Sequence, residues 1–263
     1  MRLFIELVKR SFQRQLTYRA ATFAGLATNF FFGMLRVAVM IALYGARSDV
    51  NGLSLRGAIT FTGLTQALIG FLSLFGWYDM MNSIYTGAVA CDLLKPMGYF
   101  TFWLAQDFGR ALAQFVLRGF IIMAAYAVLI GIVFPQGIEQ WAAVIVTMLL
   151  AWLISFAWRF LVNLSGFWTP DARAIGRFGF VLLYFVTGFL MPLRFFPDWF
   201  VRLCYYTPFP HMVNTVVEVY LGVLKGPQLV WALVKQASWA VLLVLVCQLT
   251  LRAGVRRLVI QGG

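Results

Sequence analysis

Six long runs of apolar residues constrain the fold of this chain more than any other feature. A helix needs about 20 residues to cross a hydrocarbon core of about 30 Å, and most of the runs reach that length. Because 62% of the residues are hydrophobic and 11% are charged, the chain cannot cover a soluble surface, which takes about 25% charged residues. We predict an all-α integral membrane protein, one transmembrane domain over residues 1–263, with six transmembrane helices at 20–44, 57–78, 111–134, 141–160, 178–193 and 228–251.

The placement of Lys and Arg predicts the orientation of these helices. Cationic segments are retained on the cytoplasmic side. With the N-terminus inside, the inside segments carry thirteen of the 21 basic residues and the outside segments carry six. Both termini are therefore expected in the cytoplasm. The net charge of +12 follows from this topology and from attraction to anionic lipid, so membrane lipid is an expected partner and nucleic acid is not.

Residues 1–19 have the pattern of an amphipathic helix. Phe4, Val8, Phe12 and Leu16 recur at helical spacing, while basic and polar residues occupy the other faces. This pattern favours a helix lying in the cytoplasmic interface of the membrane. A solvated basic tail is the alternative interpretation.

The second predicted span carries a stripe of small and polar residues, which are Thr62, Gln66, Gly70 and Ser73. Such a stripe either allows a neighbouring helix to approach closely or faces a polar pathway. Helix packing is the favoured interpretation. The pathway interpretation stays open.

Two arginines fall inside predicted spans, Arg36 in the first and Arg118 in the third. A charged side chain there costs about 3 kcal/mol or more unless it is paired or reaches water. Snorkelling toward the interface is the favoured interpretation for Arg36. For Arg118, snorkelling and contact with an anionic substrate or headgroup are equally good interpretations.

Residues 80–110 form a segment that is too polar to span the membrane and too apolar to be a free loop. It contains a short helix-like stretch, with an apolar turn of Val89, Leu93 and Leu94 beside the pair Asp92 and Lys95. Because an apolar patch in an aqueous compartment normally binds a partner, this segment is expected to dock against another protein. A plain interfacial loop is the alternative.

The fifth apolar run, 178–193, is only sixteen residues long and leads into a stretch rich in proline and aromatic residues. Four prolines, at 192, 197, 208 and 210, precede another apolar run at 212–222. Broken segments of this kind are tolerated where protein or a cavity covers their backbone. We predict a re-entrant external helical hairpin over residues 192–222.

The sequence offers little catalytic chemistry. It has one histidine, three scattered cysteines and no phosphate-binding loop, so we predict no catalytic, cofactor-binding or metal-ligating residue. A secondary transporter or channel would need buried acidic residues. Asp79, Asp107 and Asp171 are expected at span ends, and only Glu218 within the membrane. A membrane enzyme would need a clustered polar site, which the spacing does not indicate.

Three motifs carry a family resemblance. The stretch "TGFLMPLRFFPDWFVRLCYYTPFPHMV" at 187–213 resembles the signature of type-2 ABC transporter permeases, the exporter-type membrane subunits without a fused ATPase. "GAVACDLLKPMGYF" at 87–100 is similar to the cytoplasmic segment of those permeases that touches the ATPase. "FWTPDARAIGR" at 167–177 resembles the short turn before their fifth span.

The resemblance implies half of an ATP-driven exporter in a bacterial cytoplasmic (inner) membrane. Two permeases, identical or related, would work with two separate nucleotide-binding ATPase subunits that hold ATP and magnesium. Residues implied to couple to the ATPase are Gly87, Val89, Asp92, Leu93, Leu94, Lys95 and Pro96. The polar and charged span residues predicted for the pathway are Arg118, Thr62, Gln66 and Ser73, and the residues that the resemblance implies for its external gate are Pro192, Pro197, Trp199 and Pro208. The first, second and fifth spans would form the pathway and the dimer interface.

Overall fold

The fold was analysed in a computed structural model that describes residues 2–169 and 172–257; Asp171 lies outside them. The described residues are mostly helical. Five helical segments are long and apolar enough to cross a membrane, at Arg19–Tyr44, Leu55–Leu72, Tyr99–Leu129, Ile138–Phe167 and Gly226–Val255. The prediction of an all-α membrane protein is confirmed at this level.

The helices are numbered here in chain order. The longer ones are α1 (Arg2–Thr17), α2 (Arg19–Tyr44), α3 (Leu55–Leu72), α6 (Tyr99–Gln114), α7 (Phe120–Leu129), α8 (Ile138–Leu164), α9 (Ala172–Val186) and α12 (Gly226–Val255). The shorter ones are α4 (Asp79–Tyr85), α5 (Val89–Leu93), α10 (Asp198–Tyr205) and α11 (Asn214–Tyr220). A π-helical turn, Phe115–Gly119, joins α6 to α7, and 3-10 turns lie at Ser165–Phe167, Leu193–Phe195 and Phe209–His211.

A small β-hairpin connects α2 to α3. Its strands are β1 (Asp49–Val50) and β2 (Leu53–Ser54), which pair antiparallel. Asn51 and Gly52 form the turn, with φ of 52° and 75°. Positive φ at both turn positions matches the right-handed twist of paired strands, so Asn-Gly fixes this hairpin.

The third apolar run belongs to a longer helix than the sequence predicts. Helix α6 begins at Tyr99, twelve residues before the predicted start at Ala111. Residues 99–110 of the predicted cytoplasmic segment 80–110 thus belong to a long helix and are largely buried; the cytoplasmic location of the segment stays a prediction. What remains of that segment is α4, α5 and the loop up to Gly98.

The fifth apolar run also differs from its predicted bounds. Helix α9 covers Ala172–Val186, and its 15 residues are about 22 Å long. It ends before Thr187, whose hydroxyl donates to the Leu183 carbonyl at 2.6 Å, and before Gly188, which has φ of 77°. A left-handed glycine suits a helix end, so residues 187–193 leave the helix.

Helix α1 packs against α6 instead of presenting its whole apolar stripe to lipid. The Ser11 hydroxyl donates to the Gln106 carbonyl at 2.5 Å. Gly109 allows the close approach, because a side chain there would overlap the Val8 carbonyl. Phe4, Val8 and Phe12 are consequently half-buried by protein, whereas Leu16 stays exposed.

Helix α3 is the central helix of the fold. Nearly all of its side chains are buried, and it contacts α2, α6, the π-helical turn, α7, α8 and α11. The prediction that Ser73 continues the helical stripe is wrong. Ser73 caps the C-terminus of α3 with a left-handed backbone, φ 48° and ψ 50°, so its side chain leaves the line of Thr62 and Gln66.

The α1–α6 contact can be tested at Gly109. We expect Gly109→Ala to destabilise the protein by about 1–3 kcal/mol, because the added methyl group overlaps backbone that cannot move independently. Thermal unfolding in detergent and protease release of α1 would measure the effect. Gly98→Ala is the matched control, since a Cβ there meets only Thr101 Oγ1, at 3.8 Å. Equal behaviour of the two variants would contradict the packing role.

Candidate functional site

A buried ion cluster joins α6 to α8. Arg159 donates to both Asp107 oxygens, from Nη1 at 2.7 Å and from Nη2 at 3.0 Å. Arg110 donates to Asp107 Oδ1 from Nε at 3.1 Å and from Nη2 at 2.8 Å. Trp152 Nε1 donates to Asp107 Oδ2 at 2.8 Å. One carboxylate thus serves two guanidinium groups and an indole, and its side chain is 0% exposed.

The same cluster also reaches α3. Arg110 Nη1 donates to the Gly70 carbonyl at 2.9 Å, and the Ser155 hydroxyl donates to the Leu72 carbonyl at 2.6 Å. These carbonyls lie in the last turn of α3, where an Arg side chain also complements the helix dipole. The three helices α3, α6 and α8 are therefore joined at the same depth in the bundle.

Sequence reasoning placed Asp107 near a span end and missed its burial. Asp107 lies about 33 Å along the helix axis from Leu129, the other end of this spanning segment. A position near a span end therefore agrees with the helix length. Its partner Arg159 is 52 residues away in the chain. The one available signal was the i, i+3 spacing of Asp107 and Arg110 on a helix, which identifies a pair but not its burial.

The segment between α3 and α6 forms an exposed helical turn whose charges are paired. Asp92 accepts from Lys95 Nζ at 2.6 Å and from the Ser83 hydroxyl at 2.7 Å. Lys95 also lies 3.5 Å from the centre of the Phe102 ring. Gly87, with φ of 75°, makes the turn between α4 and α5. These contacts hold α5 against α4 and place Lys95 over an aromatic ring of α6.

The apolar turn predicted in this segment is not one continuous patch. Val89 is 1% exposed and Leu93 packs against the main hydrophobic core, whereas Leu94 is 85% exposed. Pro96 is also exposed. The burial of Val89 and Leu93 anchors α5 to its own chain and leaves Leu94 as the apolar side chain that projects.

Helix α4 connects α5 to the rest of the protein. The Ala172 backbone N–H donates to the Tyr85 hydroxyl at 2.8 Å, and Arg173 Nη2 donates to Asn82 Oδ1 at 2.5 Å. The Met81 backbone N–H donates to Asn163 Oδ1 at 2.9 Å. Through these bonds α4 is attached to the start of α9 and to the end of α8.

The polar stripe of α3 is buried against neighbouring helices. Thr62 is 0% exposed, and its hydroxyl donates to the Ala58 carbonyl at 3.0 Å. With the Gln66 amide oriented toward α2, its oxygen accepts from Arg36 Nη1 at 3.1 Å and its nitrogen donates to the Asn29 carbonyl at 3.3 Å. These contacts support the packing interpretation. A role in a pathway stays a prediction.

The two arginines within spans both bind backbone carbonyls. Arg36 does not snorkel: its Nη2 donates to the carbonyls of Phe189, at 2.5 Å, and Leu190, at 2.9 Å, just beyond α9. Arg118 Nη2 donates to the Ala21 carbonyl at 2.8 Å, in the first turn of α2. That contact directs Arg118 toward the end of α2 that carries Arg19, and both interpretations of Arg118 stay predictions.

Residues 187–222, called the cap below, close the end of the bundle beside the β-hairpin. Arg194 Nη2 donates to Glu218 Oε1 at 3.1 Å, and Arg194 Nη1 donates to the Asn51 carbonyl at 3.1 Å. Asn214 accepts from the Leu193 backbone N–H at 3.1 Å and donates to the Tyr205 hydroxyl at 3.0 Å. Glu218, predicted within the membrane, is therefore a partner of Arg194.

The predicted gate residues occupy different environments in the cap. Pro192 and Pro208 are buried, whereas Pro197 is exposed and Trp199 is 65% exposed. Helix α11 is the buried part of the cap and packs on α8. The structure thus separates a fixed base, with Pro192 and Pro208, from an exposed rim, with Pro197 and Trp199.

His211 lies in the base of the cap. Its Nδ1 is 3.1 Å from Thr215 Oγ1, and its carbonyl accepts from Gln236 Nε2 at 2.8 Å. Burial, with a smaller contribution from the positive charge of Lys235, lowers the pKa of His211 to about 4. The neutral imidazole is therefore the form that the fold stabilises.

These features define a multi-pass membrane protein with a fixed helical centre, a cap at one end and an exposed helical turn at the other. The family model described as ABC-2 family transporter protein matches residues 30–262, so the chain belongs to that family. This confirms the resemblance to type-2 ABC permeases. No curated protein matches the chain.

Family membership makes the chain the membrane subunit of an ABC transporter. The membrane component of this family is not itself catalytic, and the family implies ATPase partners in general.

The ion cluster leads to a stability prediction. We expect Asp107→Asn to destabilise the protein by about 3–5 kcal/mol, because it leaves two buried guanidinium groups without a counterion. Asp107→Asn combined with Arg159→Met should be less destabilising than Asp107→Asn alone, since one unpaired charge is removed with its partner. Thermal unfolding in detergent would measure both, with Asp198→Asn, at an exposed position, as the control. A double variant less stable than Asp107→Asn alone would contradict the pairing.

His211 predicts a pH dependence of stability. Its folded pKa of about 4 lies below the ordinary 6.5, so the unfolded chain binds more protons between these values. Stability should be full above pH 6.5 and fall by about 3 kcal/mol as the pH drops to 4. Unfolding midpoints measured across this range should depend less on pH in His211→Gln. An identical pH profile in the variant would sink the prediction.

Proposed function

We propose that this chain is the permease of an exporter in which two permeases are driven by two separate ATPase subunits. The observation that supports this proposal most directly is the α4–α5 segment. It presents an exposed Leu94 on a turn that is fixed internally by Asp92, Lys95 and Ser83. A partner can bind such a surface without unfolding it.

The topology that accompanies this proposal has six spans in a bacterial inner membrane. Helix α9 is the short fifth span, the cap re-enters from the external side, and both termini are cytoplasmic. The surplus of basic residues in the inside segments supports this orientation. The burial of α11 on α8 supports a cap whose backbone is covered by protein.

Movement of the ATPase would reach the membrane through α4. A displacement of α5 acts on α4 through the bond between Asp92 and Ser83. Helix α4 then acts on α9 through Tyr85 and Asn82. Because α9 has few contacts with the rest of the bundle compared with α8, it is the span that such a displacement moves most easily.

The pathway and the contact with the second permease are assigned to α2, α3 and α9. Helix α2 exposes Phe31, Phe32 and Leu35, and α9 exposes Phe178 and Phe185. Apolar aromatic faces of this kind suit either lipid or a second apolar helix. Arg36 joins α2 to the residues after α9, so these two helices would move together relative to the base of the cap, with Pro197 and Trp199 on the external gate.

A secondary transporter or channel is the second candidate. Its supporting observation is a buried carboxylate, Asp107, which is the kind of group that couples transport to protons. Two arginines and an indole occupy both of its oxygens, which leaves little capacity to bind a proton. Vanadate-sensitive ATP turnover on adding the cognate ATPase to the reconstituted chain would favour the exporter; transport that needs only a proton gradient would overturn it.

Leu94 provides a test of the ATPase contact. We expect Leu94→Asp to reduce co-purification of the ATPase at least tenfold, because an unpaired carboxylate buried in an interface costs several kcal/mol. Leu203→Asp is the matched control. Leu203 is 57% exposed and lies in the cap, away from any cytoplasmic partner. Undiminished co-purification with Leu94→Asp would place the contact elsewhere.

Arg118 provides a test of the pathway. If it only snorkels, Arg118→Ala should leave transport and ATP turnover of the folded complex unchanged, because the bond to the Ala21 carbonyl carries no substrate contact. A loss of transport with intact ATP turnover would instead give Arg118 a role toward an anionic substrate. Arg19→Ala is the control, because Arg19 lies in the first turn of α2, which Arg118 contacts.

A further inference from the structure

An apolar cavity of about 390 Å³ lies between α3, α7, α8 and α11. All of its lining side chains are hydrophobic, among them Leu64, Leu68, Met123, Ala124, Val144 and Val216. Thr62 and Gln66, on the same helix α3, are not among them. The cavity is therefore separate from the polar stripe that was predicted for the pathway.

Water is a poor occupant of this cavity. A buried water needs two to four polar partners, and apolar cavities of about 150 Å³ stay dry and bind benzene instead. This cavity is more than twice that volume. A ligand that fills it must therefore be apolar and larger than one aromatic ring.

The mouth of the cavity faces the membrane. Three aromatic residues that line it are also exposed: Phe120 at 66%, Phe134 at 55% and Trp141 at 42%. They belong to, or flank, helices that are long and apolar enough to cross a bilayer. Lipid is therefore the substance that meets this opening.

The depth of the cavity matches one leaflet. Its α3 residues, Leu64 to Leu68, lie about 12–18 Å along the helix axis from Arg56. Half of a hydrocarbon core of about 30 Å is about 15 Å. A chain that enters beside Arg56 and ends at Leu68 would have the length of one leaflet.

A cation lies at the shallow end of the cavity. Arg56 is exposed, and a Cβ at Gly131 would lie 3.6 Å from its Nη2. Ile132, the next residue, lines the cavity. Within residues 2–169 and 172–257, the guanidinium of Arg56 has no hydrogen-bond or ion-pair partner. An Arg in this position is suited to a phosphate group.

We propose that the cavity binds one acyl chain of a membrane glycerophospholipid and that Arg56 binds the phosphate of the same molecule. This lipid is a resident of the leaflet and not a transported substrate. The proposal goes beyond the exporter function and does not depend on it. Bound lipid would fill the space beside α3 and hold α7, α8 and α11 at their present separation.

Native mass spectrometry of the purified, delipidated chain, titrated with palmitoyl-oleoyl phosphatidylglycerol, tests the proposal. We expect a tight site in the wild type that Ala124→Phe, which fills the cavity, weakens at least tenfold. Ala142→Phe is the matched control, because Ala142 is exposed on α8 but does not line the cavity. Equal binding by Ala124→Phe and the wild type would overturn the proposal.

A second binding measurement tests the contact between Arg56 and the lipid phosphate. Arg56→Gln should weaken phosphatidylglycerol binding about tenfold, since charge-assisted hydrogen bonds to the phosphate are lost. It should leave binding of palmitoyl-oleoyl glycerol, which lacks phosphate, unchanged. Arg47→Gln, at another exposed arginine before α3, is the control. An equal effect of Arg56→Gln on both lipids would overturn the phosphate contact.

A second copy of the chain is the competing occupant of the mouth. Phe134→Cys in a Cys91→Ser background would form a disulfide between two chains in membranes if a second copy covered the opening. We expect no such crosslink together with retained lipid binding. Efficient crosslinking would overturn the lipid site in favour of a protein interface.

Discussion

The bidentate pairing of Asp107 with Arg159, extended by Arg110, is the interaction on which the arrangement of the central helices depends. In lipid, helices are not driven together by the hydrophobic effect, so packing and interhelical hydrogen bonds decide which faces meet. Asp107 can satisfy two guanidinium groups only if α6 and α8 keep one register and one separation. The Arg110 bond to the Gly70 carbonyl then fixes the end of α3 at the same level. Any helix pairing that separates these groups leaves a charge buried without a partner.

A fixed centre determines which parts of the molecule are free to move. Helices α3, α6 and α8 share the ion cluster, and α12 is joined to α8 through the bonds of Gln236 with Thr147. Helix α9 lies outside this network, and Arg36 connects the residues after it to α2, which Gln66 bonds to α3. Helix α4 contacts both groups, because its bonds go to Asn163 on α8 and to the start of α9. Under the proposed function, a displacement delivered to α4 would therefore act on both α8 and α9.

The sequence predicts the local features of this fold better than its long-range polar contacts. Apolar runs identify the spanning helices, because each run is a property of contiguous residues. The bounds are wrong where a local backbone choice overrides hydropathy, as at Ser73 and Gly188, and where an amphipathic helix continues beyond the apolar run, as at Tyr99. Arg159 and Asn163 read as ordinary polar residues near a span end, since their partners on α6 and α4 are distant in the chain. Val89 and Leu93 read as a surface patch because periodicity cannot tell which partner covers an apolar turn.

The π-helical turn at Phe115–Gly119 determines which side chains of α7 pack against α3. A π turn adds one residue to the helix and so rotates everything after it by about 100° relative to a continuous α-helix. After this turn, Tyr126 fits between the glycines Gly33 and Gly63 of α2 and α3 and is 0% exposed. Without the extra residue, Tyr126 would rotate out of that position. The same rotation places Phe120, Met123 and Ala127 on the wall of the apolar cavity, which α8 lines with Trp141, Val144 and Met148. The buried position of Tyr126 and the α7 wall of the apolar cavity thus both depend on one local insertion in the backbone.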